Sequence, residues 1–181
     1  MLNEIIIEHC YPTLSNLKIA NMVNVDIYDT IYQDIIKLNE ELSKYNFSLI
    51  ILKQSNKKLL LYLLNLNLIE NYNDEKLKNA LKSYGYPTDN FNNSITFLKQ
   101  RLLQNEFPHE IGFFLGYPYD DVLGFINCNG KNEIFTGKWK VYSNVDKAKY
   151  TFEKFEYARI ITQKLSLQGN SLFDIINYFK E

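Results

Sequence analysis

The strongest pattern along the chain is a run of apolar positions at helical spacing. Ile31, Ile35, Leu38, Leu42 and Tyr45 recur at steps of four, three, four and three, which is one face of an amphipathic helix over 29–45. Next come two apolar runs, Phe47 to Lys53 and Lys57 to Leu64, divided by polar Gln54-Ser55-Asn56. Two such runs around a polar turn predict an antiparallel hairpin. Helical spacing returns over 74–84, with Leu77, Ala80, Leu81 and Tyr84 inward and Gly85 placed to stop the helix. It returns again over 91–104, with Ile95, Leu98 and Leu102 on one face and Pro108 closing the segment.

The middle of the chain reads differently. Ile111 to Leu115 is short, apolar and bounded by Gly and Pro, which predicts a buried strand. Gly116-Tyr117-Pro118 is a turn. Pro118 then opens a helix with Asp120 and Asp121 in its first turn, where the helix dipole favours them. That helix carries Val122, Phe125 and Ile126 and ends near Asn129-Gly130. Phe135 to Tyr142 is predicted as a strand with Phe135, Trp139 and Val141 on one face. Ser143 and Asp146 have the spacing of a capping box, and a long helix follows over 145–167, ended by Gly169. Ser171 and Asp174 repeat the cap for a last helix over 171–180.

At the N-terminus, residues 2–9 form a short helical turn, and Pro12 fits the first position of a second helix over 12–21. Cys10 then falls just ahead of that helix's positive end. Val23 to Ile27 is a brief extended segment. There is no internal repeat and no shift of composition. The order implies an α+β fold, a small mostly antiparallel sheet packed by several helices, in a single domain over 1–181.

Composition narrows the function classes. The net charge is −1, and no basic run provides the electrostatic footprint of a nucleic-acid binder. No apolar stretch approaches the ~20 residues of a membrane span, and Met1-Leu2-Asn3-Glu4 lacks a signal peptide's basic start. The expected location is cytoplasmic, with Cys10 and Cys128 as free thiols. Aromatic residues reach 15% of the chain. They fill a core, line a groove, or both. The many Asn, Ile, Lys and Tyr are also what an AT-rich genome encodes.

Candidate chemistry centres on Phe107 to Pro118 and on Cys10. A thiol beside a helix N-terminus has a lowered pKa. His109 would serve as its base, with Glu110, Asp120 or Asp121 orienting the imidazole. In the competing reading, Cys10 is a small buried hydrophobe and His109 bonds nearby backbone. His9, Cys10, His109 and Glu110 are possible metal ligands, but neighbours in sequence diverge in direction, so no metal site is assigned. Gly112 to Gly116 is neither a dinucleotide fingerprint nor a phosphate loop. His9, Tyr117, Trp139 and Tyr142 are the candidate ligand contacts, against a plain core role for the rings.

Three blocks together resemble a bacterial family catalogued as domain of unknown function 3793. They are His9-Cys10-Tyr11-Pro12-Thr13-Leu14 with Leu17-Lys18, the central stretch continued by Asp121-Val122-Leu123-Gly124-Phe125-Ile126, and Gly137-Lys138-Trp139-Lys140-Val141-Tyr142 followed by Ala148, Phe152 and Gly169. The resemblance implies a single-domain soluble bacterial protein and supplies no activity. The family pattern usually has a small residue and Gly where this chain has Ser15-Asn16, and often Cys where it has Ala158. Two functions stay open. One is a non-catalytic domain binding a small molecule or protein in a groove near residues 109–121 and 137–142. The other is a thiol hydrolase or acyltransferase with Cys10 as nucleophile and His109 as base, oriented by Glu110 or Asp121. The sequence specifies no cofactor and no oligomeric state, and leaves open a dimer contact near residues 150–157.

Overall fold

A computed structural model describes residues 1–180, with backbone alone at position 71. The chain is α+β, a small antiparallel sheet packed by helices, as its pattern predicts. It divides into two compact units, Met1–Ile69 with Phe155–Glu181, and Glu70–Lys154.

The first unit is built on a three-stranded antiparallel sheet of β1 (Ala20–Asp26), β2 (Phe47–Gln54) and β3 (Lys58–Asn65), in the order β1-β3-β2. The predicted hairpin is β2–β3, with Leu49 opposite Leu63 and a bulge between Ile51 and Lys53. Val23 and Val25 of β1 pair with Leu61 and Leu59, so these side chains share one face. Against that face lie α1 (Leu2–Leu14), α2 (Ile31–Ser43) and α8 (Leu172–Tyr178). Ile6, Leu14, Ile31, Leu42, Ile175 and Ile176 are buried there with Leu59, Leu61 and Leu63. Each such side chain contributes about 1.5–3 kcal/mol when taken fully out of water.

The N-terminal expectation needs correction. Residues 2–14 are one helix, and Pro12 lies inside its last turn rather than at the start of a second one. Leu2, Ile6, Ile7, Cys10, Thr13 and Leu14 form one buried helical face across the proline. Packing of that face carries the helix past Pro12, and the hydrogen bond proline cannot donate would fall on Glu8, which is exposed. Asn16 then turns the chain with φ 58. Asparagine tolerates this left-handed conformation better than most residues other than glycine.

The second unit contains α3 (Glu75–Ser83), α4 (Phe91–Leu102), α5 (Ile111–Phe114), α6 (Tyr119–Asn127), a hairpin of β4 (Phe135–Thr136) and β5 (Lys140–Val141), and the first turns of α7 (Val145–Leu167). A 3-10 helix, Leu66–Asn73, leads into it. Its centre is Phe114, wholly buried, with the rings of Tyr72, Tyr86 and Phe91 at 5.9, 5.3 and 6.2 Å.

Three local expectations fail here. Ile111 to Leu115 is one helical turn, not a strand; Leu115 N–H donates to the Ile111 carbonyl at 3.1 Å. All five residues are buried, and a run this short carries no period to separate strand from helix. Phe135 to Tyr142 is not one strand but a tight hairpin, in which Phe135 pairs with Val141 across Gly137-Lys138-Trp139. Asn144, not Ser143, caps α7 by accepting from the Lys147 N–H at 2.9 Å. The capping box at Ser171 and Asp174 does form.

Candidate functional site

In the second unit, the structure gathers several of the singled-out residues around one carboxylate. Pro118 opens α6 and places Asp121 in its first turn. Asp121 is 3% exposed. Its Oδ2 accepts from the Trp139 indole N–H at 2.8 Å, and its Oδ1 accepts from the Tyr142 backbone N–H and the Ser143 hydroxyl, each at 2.8 Å. Asp121 therefore fixes the β4–β5 hairpin and the strand exit onto α6. Tyr142 lies against Gly124 one turn further along α6. The Tyr142 hydroxyl is buried with no hydrogen-bond partner among the described residues. Burial pushes its pKa up, and the Glu133 charge adds to this.

From Trp139 a row of rings extends across the hairpin. Tyr117 stands 5.6 Å from Trp139, Phe152 of α7 meets Trp139 edge-on at 4.4 Å, and Phe135 stacks beyond Phe152 at 6.3 Å. The Lys149 ammonium lies 5.2 Å from the centre of the Phe135 ring. All four rings are half-buried, so each keeps part of its surface in water. Gly137 makes the approach possible, because a Cβ there would meet the Phe152 ring at 2.2 Å. Phe135 was read from the sequence as sharing a face with Trp139, and Phe152 as part of the third block, but neither as a ligand contact; the signal was Gly137 beside Trp139.

The other predicted residues go elsewhere. Glu110 is 3% exposed, and its Oε1 accepts from Arg101 Nε at 3.1 Å, Arg101 Nη2 at 3.0 Å and the Tyr86 hydroxyl at 3.0 Å. Burial, then the Glu110 charge, drives the Tyr86 pKa far up. His109 is exposed and sits between the rings of Phe107 and Phe125, at 5.7 and 5.0 Å. All three carboxylates expected to orient His109 are engaged with other donors: Glu110 and Asp121 as above, and Asp120, whose Oδ1 lies 3.3 Å from Lys76 Nζ.

Cys10 belongs to the first unit. It lies within α1, wholly buried, and not ahead of a helix N-terminus. Burial raises its pKa to about 12, against the opposing charge of Lys18. The expected dipole-lowered thiol is therefore corrected: the desolvation that a charged thiolate would suffer here outweighs any nearby positive charge. Lys18, 7% exposed, was not anticipated; burial lowers its pKa to about 8, with Cys10 acting in the opposite direction. Only its place in the first family block marked it, since nothing local says that a lysine will be buried. His9 is exposed, with its Nε2 3.9 Å from Glu8.

A family profile described as Protein of unknown function (DUF3793) matches residues 6–176. The chain belongs to this family. No curated protein and no solved structure matches it. The first block thus forms the end of α1 and the turn after it, with Cys10, Pro12, Thr13 and Leu14 buried, and Gly137 to Tyr142 of the third lie in the ring-bearing hairpin and its exit. Among the described residues, no group of three or more His, Cys, Asp or Glu side chains is gathered as a metal ion would require, and no helix is long and apolar enough to cross a membrane.

The burial of Cys10 predicts its reactivity. In the folded protein iodoacetamide labels Cys128, which is partly exposed, and leaves Cys10 unmodified from pH 6 to 9. Cys10 reacts once the chain is unfolded. Peptide mapping after a short pulse reads both thiols, and fast native labelling of Cys10 would contradict its assignment as a buried hydrophobe.

Proposed function

We propose that the protein is a non-catalytic binding domain, and that its second unit takes a ligand with a flat apolar face against Tyr117, Trp139, Phe152 and Phe135. The observation that carries this reading is the row itself. Half-buried rings in contact, held by a buried Asp121, offer stacking area that loses little side-chain freedom on binding. Lys149 beside Phe135 adds a positive charge at one end, suited to an anionic group on the ligand. His109 and Glu110, part of the groove expected from sequence, have no role in this reading. The alternative thiol enzyme draws no support from Cys10, whose burial and raised pKa keep it protonated at neutral pH.

Trp139 is the single tryptophan of the chain, so its emission reports directly on the row. The probe is anilinonaphthalene sulfonate, a flat aromatic anion. Saturable quenching of Trp139 with energy transfer to the probe is expected. Phe135→Ala should weaken it about tenfold, the loss of one ring contact of about 1–1.5 kcal/mol. Leu103→Ala, on the same unit but outside the row, should leave it unchanged. Probe binding that never reaches Trp139, or that survives Phe135→Ala in a protein with an unaltered melting curve, would remove the reading.

A further inference from the structure

α7 (Val145–Leu167) is apolar on two opposite sides. One side is buried: Ala148, Phe155, Ala158 and Thr162. At about 100° per residue, the other side carries Tyr150, Tyr157, Ile160 and Leu167. These are 60%, 63%, 50% and 89% exposed. With Glu153 and Lys164, both exposed, they occupy alternating steps of three and four from 150 to 167, the spacing of a coiled-coil seam.

We propose that this stripe is the seam of an antiparallel dimer between two copies of the chain. The seam is self-complementary in one register only. Laid antiparallel with the two-fold axis between Ala158 and Arg159, Tyr150 faces Leu167 of the second copy, Tyr157 faces Ile160, and Glu153 faces Lys164. Every large apolar residue meets another, and the two charged positions meet with opposite sign, twice per dimer. On the flanks Glu156 comes beside Gln163 and Lys154 beside Ile161, so no like charges oppose. A parallel arrangement in register would set Glu153 against Glu153 and Lys164 against Lys164. The stripe drifts slowly around the helix over about 25 Å, the direction that a left-handed supercoil accommodates.

The test is sedimentation velocity on the full chain from about 1 to 100 μM, a range that spans typical weak dimers. The wild type is expected at twice the 21.4 kDa of one chain at the upper end. Glu153→Lys and Lys164→Glu each put like charges into the seam and should lower the association constant at least about tenfold. An equimolar mixture of those two variants restores both opposite-charge pairs in a heterodimer and should return to the wild-type mass. The exposure of both residues lets the fold survive, which circular dichroism melts check. A wild type that stays monomeric throughout overturns the proposal, and so does a dimer indifferent to either single variant. Single variants that weaken the dimer without rescue on mixing overturn the antiparallel register.

Discussion

Asp121→Ala is expected to destabilise the second unit by about 3–5 kcal/mol. The carboxylate is 3% exposed and accepts three hydrogen bonds at 2.8 Å. Hydrogen bonds to a charged group contribute roughly 1.5–3 kcal/mol each. The total stays below the simple sum, because the exposed Ser143 hydroxyl and the half-buried Trp139 indole recover water when the acceptor is removed. The Tyr142 N–H recovers least, since it lies where the chain leaves β5 and packs on α6. Trp139 emission should shift to the red as the hairpin loosens, and a urea titration followed by that emission gives the free-energy change. Asp121→Asn should fall between, since it keeps one acceptor oxygen but turns an amide donor toward the others. A loss below about 1 kcal/mol would mean that water replaces the carboxylate at little cost, and that Asp121 does not organise this unit.

Gly124→Ala is the second large effect, about 3 kcal/mol destabilising. Glycine within a helix usually costs about 0.5–1 kcal/mol relative to alanine, so the ordinary expectation has the opposite sign. Here a Cβ would stand 2.4 Å from Cβ and Cγ of Tyr142. Those atoms sit next to the backbone, and the Tyr142 backbone is tied to Asp121, so the ring cannot simply swing aside. Overpacking of this kind costs typically 1–3 kcal/mol. Chemical denaturation of the variant decides the sign. A stabilised Gly124→Ala would show that α6 and β5 are not in such close contact.

These two positions mark where sequence reading succeeded and where it stopped. Asp121 was noticed for its charge and its place in the first turn of a helix, and both hold. Its function as the acceptor for Trp139, Tyr142 and Ser143 was not visible, because those donors lie 18 to 22 residues away. Ser143 was assigned to a capping box by spacing alone, and the longer-range bond to Asp121 took the hydroxyl instead, leaving the cap to Asn144. Cys10 failed for a related reason. Pro12 carries a strong local preference for a helix start, yet the buried face from Leu2 to Leu14 continues through it. Tertiary packing overrode the preference, and the thiol went into the core.

What the chain determines without reference to its fold is the periodic part. The helices over 31–43, 75–83, 91–102 and 145–167, the β2–β3 hairpin and the stop at Gly169 were all legible. Each rests on a repeat long enough to have a period, or on a backbone conformation that only glycine adopts easily. The tertiary structure alone decided the rest: the helical turn at Ile111–Phe114, the ring row on Trp139, the burial of Lys18 and the donors that hold Asp121. A five-residue apolar run has no period, and the neighbours of a buried charge or an aromatic ring are chosen by folding across long separations. Neither is written in local order.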